Sequence, residues 1–395
     1  MKTIKNLLPV VSLLFIFSSC LKDSEKIELS AYTESQYQTL KKYLDLPNEV
    51  LDYHVTLPSH ISSVGLSPVQ VSSDKATLGR VLFYDKQLSK NGKVSCASCH
   101  KQSIAFSDDV AFSEGFDGQV TERNSIALGS VVNFSAYYST ENTSPFGSAV
   151  RFFWDERAGS VQEQSEMTLE NKIEMGMEMY QLPSKIANSE YYPILFSAAY
   201  GDPAITEERI LGALTDFIMG MGSYESKYDK EASRNLNNDF AEYAGFTASE
   251  NRGKDLYLLN CQSCHGRRFG RPGKRVANNG LDMDYVDNGV GALENDPSKN
   301  GVFKVPTLRN IAVTGPYMHD GRFETLEEVI DHYSTGIKSH PNLDTDLKEY
   351  NGNGQYEAKK FNFSASDKKA LVDFLHTLTD DKFITAEKFS DPFIN

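Results

Sequence analysis

This chain has almost no cysteine to spare, little basic charge, few strand-like stretches and no apolar run long enough to span a bilayer comfortably. Each absence excludes something. Five cysteines in 395 residues rule out a disulfide-stapled scaffold. An excess of 54 acidic over 40 basic residues, for a formal charge of −14, argues against nucleic acid and does not favour anionic membranes. The longest apolar run, Leu7 to Phe17, follows Lys2 and Lys5 and is the pattern of an export signal rather than a membrane span. Hydrophobic content of 40% and charged content of 24% are those of a globular chain with real cores.

Four of the five cysteines fall in two short words, Cys96-Ala97-Ser98-Cys99-His100 and Cys261-Gln262-Ser263-Cys264-His265. Two cysteines three apart with a histidine directly behind them is the spacing that attaches a c-type haem. Each thiol adds to one vinyl group of the porphyrin, and the adjacent imidazole ligates the iron. A zinc ribbon wants its two CxxC halves close together, whereas these words lie in opposite halves of the chain. A redox dithiol needs no trailing histidine, yet both words have one. The chain therefore reads as a protein of two covalently bound c-type haems.

The fifth cysteine, Cys20, follows Ser18 and Ser19 at the end of the leader. Small residues before a cysteine form a lipoprotein signal-peptidase site, so residues 1–19 are read as the signal peptide and Cys20 as the lipidated N-terminus. Phe17 departs from the aliphatic residue usual in that pattern. The mature protein is thus expected to be exported and periplasmic, held to the outer membrane through lipid. Export also suits the chemistry, because c-type haem is attached outside the bacterial cytoplasm.

Helical periodicity dominates the mature chain. Residues 20–71 read as a tether and extension, with a helix over Thr33–Leu46 closed by Pro47. Ser73 reads as the N-cap of a helix carrying Ala76, Leu78, Val81 and Leu82. A strong amphipathic stripe runs through Ile210, Leu211, Leu214, Phe217, Ile218 and Met221. The polar stretch from Tyr224 to Phe246 reads as a linker. Helices are expected over Ser249–Leu259, from Thr325 as far as His332 and Tyr333, and over Ser366–Thr379. No internal repeat stands out beyond the paired haem words. The expected fold is mainly α, with a first domain over 72–240 and a second over 241–395.

Several further words recur in order. They are Leu78-Gly79-Arg80 before the first haem word, Arg123-Asn124 and Trp154-Asp155-Glu156-Arg157-Ala158, then Gln164 and Glu174-Met175-Gly176. Phe303-Lys304-Val305-Pro306-Thr307-Leu308-Arg309-Asn310 and Thr314-Gly315-Pro316-Tyr317-Met318-His319-Asp320-Gly321 come in the second half. From about Asp74 to Asp380 the chain resembles the di-haem cytochrome c peroxidase and MauG family. That resemblance implies two cytochrome c-like domains facing each other across an interface, a peroxidatic N-terminal haem and an electron-transferring C-terminal haem.

By the same resemblance Glu174 is the acid–base group of the peroxide pocket and Gln164 lines it. Trp154 lies between the haems as an electron relay. Asn124 and the carbonyls of Thr314 and Pro316 match calcium-binding positions, where hard oxygen donors suit the ion. The family's usual Trp-Asp-Gly-Arg-Ala carries Glu156 here in place of glycine. Phe116 stands where the reductively activated peroxidases have a histidine, and no histidine occurs between His100 and His265. The first iron is therefore expected to be five-coordinate or water-bound at rest. Tyr333 stands where those enzymes place a methionine ligand, as in the MauG type, with His332 and Met318 as rivals; His319 is expected to support a ligand rather than be one. His54 and His60 are further histidines able in principle to reach an iron, although exposed or satisfied histidines are commoner.

The implied activity is reduction of hydrogen peroxide to water with electrons from a small donor such as a cytochrome c. The alternative is a MauG-like oxidation of a protein or small molecule by peroxide through a high-valent di-haem state. A plain electron-transfer cytochrome, the third possibility, has no use for Gln164 and Glu174. The family resemblance also implies a homodimer.

Overall fold

The computed structural model describes residues 31–63, 69–129 and 151–394; the leader and Cys20 lie outside the described residues. Helix dominates, as expected. Among the described residues the strands form two antiparallel pairs, β1 (Val276–Ala277) with β2 (Phe303–Lys304), and β3 (Lys348–Tyr350) with β4 (Tyr356–Ala358). Among the described residues no helix is long and apolar enough to cross a membrane.

The principal helices are α1 (Glu34–Leu40), α2 (Ser73–Tyr84), α3 (Cys96–Cys99), α4 (Val161–Glu170), α5 (Glu207–Met219), α6 (Ala248–Asn260), α7 (Gln262–His265), α8 (Leu326–Asp331) and α9 (Ala365–His376). Their starts follow capping chemistry. Ser72, one residue before the expected cap, accepts from Lys75 N–H at the head of α2, and Thr206 does the same for α5. Thr247 and Glu250 form a reciprocal capping box on α6. α1 stops at Leu40, six residues short of the expected end, because the chain turns there to bury Leu44 and Leu46.

One joint is used twice. In the first half α2 packs against α5, and Gly79 makes the crossing possible: a Cβ there would lie 2.0 Å from the carbonyl oxygen of Ala213 and 2.8 Å from Phe217 Cβ. In the second half α6 packs against α9, where a Cβ on Gly253 would lie 1.9 Å from the Ala370 carbonyl oxygen and 2.7 Å from Phe374 Cβ. The sequence does repeat beyond its haem words, as one glycine facing an alanine and a phenylalanine four residues on. Leu78, Val81, Leu82 and Phe83 of α2 are buried with Ile210, Leu214 and Phe217 of α5. Each such side chain contributes about 1.5–3 kcal/mol.

The hydrophobic cores cross the division expected at residue 240. The second core already includes Tyr228 and Ala232, on a helix over Lys227–Arg234 inside the stretch expected to be linker; its two apolar positions are hidden among charges. The first core takes in Tyr32, Leu40 and Tyr53 of the N-terminal extension, and also Phe383 and Phe389 from the C-terminal end. That end is a strap across the first half. Tyr53 Oη and Tyr84 Oη donate to the carbonyls of Lys388 and Phe389, both at 2.7 Å. The buried Arg80 donates to the Ser390 carbonyl at 2.6 Å and to its hydroxyl at 3.0 Å. A small third cluster of Ile337, Leu343, Leu347 and Ala358 packs beside Tyr333.

Candidate functional site

Each haem word sits at a cavity. Cys96, Cys99 and His100 line one of about 500 Å³ between α2, α4 and α5. The two thiols form no disulfide, and burial pushes them up to about 12 and 11. His100 Nδ1 lies 2.8 Å from the Phe106 carbonyl. A carbonyl only accepts, so Nδ1 carries the proton and Nε2 keeps its lone pair for a metal. Ala105 and Phe106 are both left-handed, at φ 57° and 61°, which turns that carbonyl back towards the ring.

Gln164 and Glu174 line the same cavity, with Trp154 and Arg157. Gln164, on α4, donates from Nε2 to Thr168 Oγ1 at 3.1 Å. Glu174 accepts from Asn171 Nδ2 at 3.2 Å. Burial raises the pKa of its carboxyl, and Thr168 and Arg157 offset this only in part. Asn171 also shapes the loop, accepting at Oδ1 from the N–H groups of Ile173 and Glu174 at 2.8 and 3.2 Å. Gly176 closes it at φ +62°, with the Phe116 ring 2.4 Å from where a Cβ would be. Phe116 thus packs behind the loop and is not on the cavity wall, where His100 is the only histidine among the described residues.

The second cavity, about 200 Å³, is lined by Cys261, Cys264 and His265 at the end of α6 and on α7. Burial pushes these thiols up to about 12 and 11 and the imidazole down to about 4. His265 Nδ1 lies 3.3 Å from the Pro306 carbonyl, the same arrangement as at His100. Tyr333, on the π-helical turn His332–Gly336 after α8, and Met318, at φ 76°, both line this cavity. Asn279 serves both: it donates from Nδ2 to Met318 Sδ at 3.4 Å and hydrogen-bonds Tyr333. Burial raises the Tyr333 phenol well above its ordinary range. His332 is not on the wall; its Nε2 lies 3.1 Å from the Asn279 carbonyl. His319 lines the cavity and stacks on Phe303 with ring centroids 3.8 Å apart.

Trp154, Asn124 and Lys304 line both cavities. Trp154 Nε1 donates to the Asn124 carbonyl at 2.9 Å. Thr314 and Pro316 stand with Asn124 on the second wall. Arg123 spans the halves, with NH1 2.7 Å from Asp155 and Nε 2.6 Å from Asp287. His54 is exposed beside Asp52, and His60 is fully buried, its Nε2 3.2 Å from Asp229; neither lines a cavity.

These residues fit two thioether-bound haems. In each cavity a cysteine pair and an imidazole with its Nδ1–H tied to a carbonyl share one wall, beside buried apolar side chains. Sequence reasoning missed Asn171 and Asn279, which orient Glu174 and Tyr333, because a lone asparagine in a loop carries no spacing signal. Lys304 stands in the sequence as part of a longer word, and nothing there says that it faces both cavities.

The profile of the family described as di-haem cytochrome c peroxidase matches residues 73–237. The chain is 30% identical over 356 residues to methylamine utilization protein MauG of Paracoccus denitrificans, covering 78% of this chain and 89% of that one. It is 32% identical over 268 residues to cytochrome c551 peroxidase of Nitrosomonas europaea, covering 66% and 72%. A crystal structure of a MauG-like protein associated with microbial copper homeostasis matches with a TM-score of 0.68 at 30% identity, over 88% of this chain and 99% of that one.

Proposed function

The chain belongs to the di-haem cytochrome c peroxidase family that includes MauG, and from that membership we propose that it reduces hydrogen peroxide at its first cavity with electrons passed through the second. The donor in this reading is a small redox protein such as a cytochrome c. The observation that carries it is Glu174, an acid–base group pushed up by burial on the wall that also holds Cys96, Cys99 and His100.

Cys96, Cys99 and His100 would hold a haem in this cavity, and that haem would supply the redox chemistry that splits the O–O bond. Glu174 accepts the proton of the inner peroxide oxygen and delivers it to the outer one, so that water leaves. Gln164 borders the same space and holds the peroxide by hydrogen bonding. Asn171 keeps the Glu174 carboxyl turned inward. Two electrons and two protons convert one peroxide to two waters. Trp154, which lines both cavities, is the electron path, and Tyr333 would ligate the second haem's iron, with Met318 as its rival on the same wall. A calcium ion held by Asn124 and the carbonyls of Thr314 and Pro316 belongs to the same proposal, as do export with a lipid anchor at Cys20 and a homodimer.

A second reading, MauG-like oxidation of a protein or small molecule by peroxide, is favoured by Tyr333 on the second wall and by the lack of a second histidine on the first. One experiment tests both: a single equivalent of hydrogen peroxide is added to the fully ferric, haem-loaded protein and followed by stopped-flow absorbance. Fast loss of a high-spin ferric signal supports an open first site and the second reading. Turnover only after one haem is reduced, with a reduced cytochrome c consumed, supports the first reading and means a hidden ligand. No reaction in either state overturns both.

A further inference from the structure

Two residues after Trp154, which lines both cavities, stands a residue that the local backbone does not want. Glu156 has φ +59°, a left-handed conformation that costs a side-chain-bearing residue about 1–2 kcal/mol and glycine nothing. Glycine is what the family's usual word carries there. Glu156 is nevertheless only 2% exposed. Its Oε2 lies 2.5 Å from Arg275 Nε and its Oε1 3.7 Å from Lys304 Nζ.

Of those cations, Lys304 lines both cavities and Arg275 lines neither. Arg275 precedes β1, and its carbonyl accepts from Val305 N–H at 2.9 Å. Lys304 ends β2 and faces both cavities. Its N–H donates to the Trp154 carbonyl at 2.8 Å, and its Nζ to the Arg151 carbonyl at 2.7 Å. Burial brings the Lys304 ammonium down to about 8 even with Glu156 beside it. The Glu156 carboxylate thus offsets two cations at once, one on each of its oxygens.

We propose that Glu156 is a positioning residue that sets the redox balance of the two haem sites, its carboxylate fixing Lys304 and Arg275 against the Trp154 turn and its negative charge favouring the ferric state on both sides. This rests on the di-haem reading above. A buried charge is screened far less than one in water, so a carboxylate paired with Lys304, which lines both cavities, acts on both. The backbone strain at Glu156 is the local cost of placing it there.

The test uses the haem-loaded full chain, its two haems per chain first verified by pyridine haemochrome assay. E156Q removes the carboxylate charge, and E156D keeps it. The third variant, E156G, suits the left-handed backbone and guards against misfolding. Spectroelectrochemical titration reads both midpoints. For E156Q and E156G the ferrous-to-ferric ratio at fixed potential rises about tenfold at each haem, about 59 mV for a one-electron couple. E156D moves by less than half as much. Midpoints unchanged in E156Q and E156G overturn the proposal and leave Glu156 a structural tie. A parent chain that holds fewer than two haems fails the underlying reading instead, and the assay shows this before any titration.

Discussion

The two halves share a joint and differ in what stands around the imidazole. Gly79 and Gly253 let one helix press on the backbone of another at Ala213 and Ala370, and His100 and His265 each have Nδ1 against a carbonyl. The first cavity is wide, and Gln164 and Glu174 border it. The second is narrower, and Tyr333 and Met318 border it. A common frame thus gives one site able to admit and protonate a small molecule and another crowded by ligand-type side chains. The specialisation comes from loops and a π-helical turn, not from the helices that hold the haem words.

The sharpest way to break the comparison is E174Q. It should slow the reaction with peroxide by about 10²–10⁴-fold while leaving haem content and the second haem's spectrum unchanged, as stopped-flow and absorbance would show. The parent rate should climb with pH through a pKa above the usual glutamate value, because the buried carboxyl must ionise before it accepts a proton. In E174Q that limb should be missing. An equal loss of signal at both haems would mean that Glu174 is not confined to one site.

Next in size is the shared joint. G79A and G253A each push a methyl against a carbonyl, and overpacking costs about 1–3 kcal/mol or more. Thermal unfolding should fall in both variants by similar amounts. A harmless G253A would show that the two joints are not equivalent.

Smaller again is Y333M, which exchanges a phenolic side chain for a thioether and should raise the second haem's midpoint only. A tenfold change in its ferrous-to-ferric ratio corresponds to about 59 mV. A shift at the first haem instead would reverse the assignment. Smallest is T247A, which removes the α6 cap and should cost about 1 kcal/mol, read by denaturant unfolding with peroxide reactivity unchanged.

Much of this was legible in the residues. The haem words mark their own cavities, and the stripe through Ile210, Leu214 and Phe217 turns inward as its spacing requires. Gln164 and Glu174 do meet on one wall. What could not be read is what depends on contacts between distant segments. The Gly79 and Gly253 crossings leave only single small residues in the sequence. Tyr228 and Ala232 belong to a core but sit among charges. Among the rival ligands, His332 is held by the Asn279 carbonyl while Tyr333 and Met318 reach the cavity, a choice made by a π-turn that periodicity does not announce.

The C-terminal strap has a bearing on how the chain is assembled. Tyr53 and Lys388, 335 positions apart, are joined by one hydrogen bond, and contacts of such separation form late. Until Phe383 and Phe389 arrive, the first core is missing part of its apolar filling, and Arg80 lacks the acceptors that Ser390 provides. A chain cut short near residue 380 keeps both haem words yet cannot finish its first half. Completion of the first half therefore waits on Phe383, Phe389 and Ser390, which follow both cysteine-histidine words in the chain.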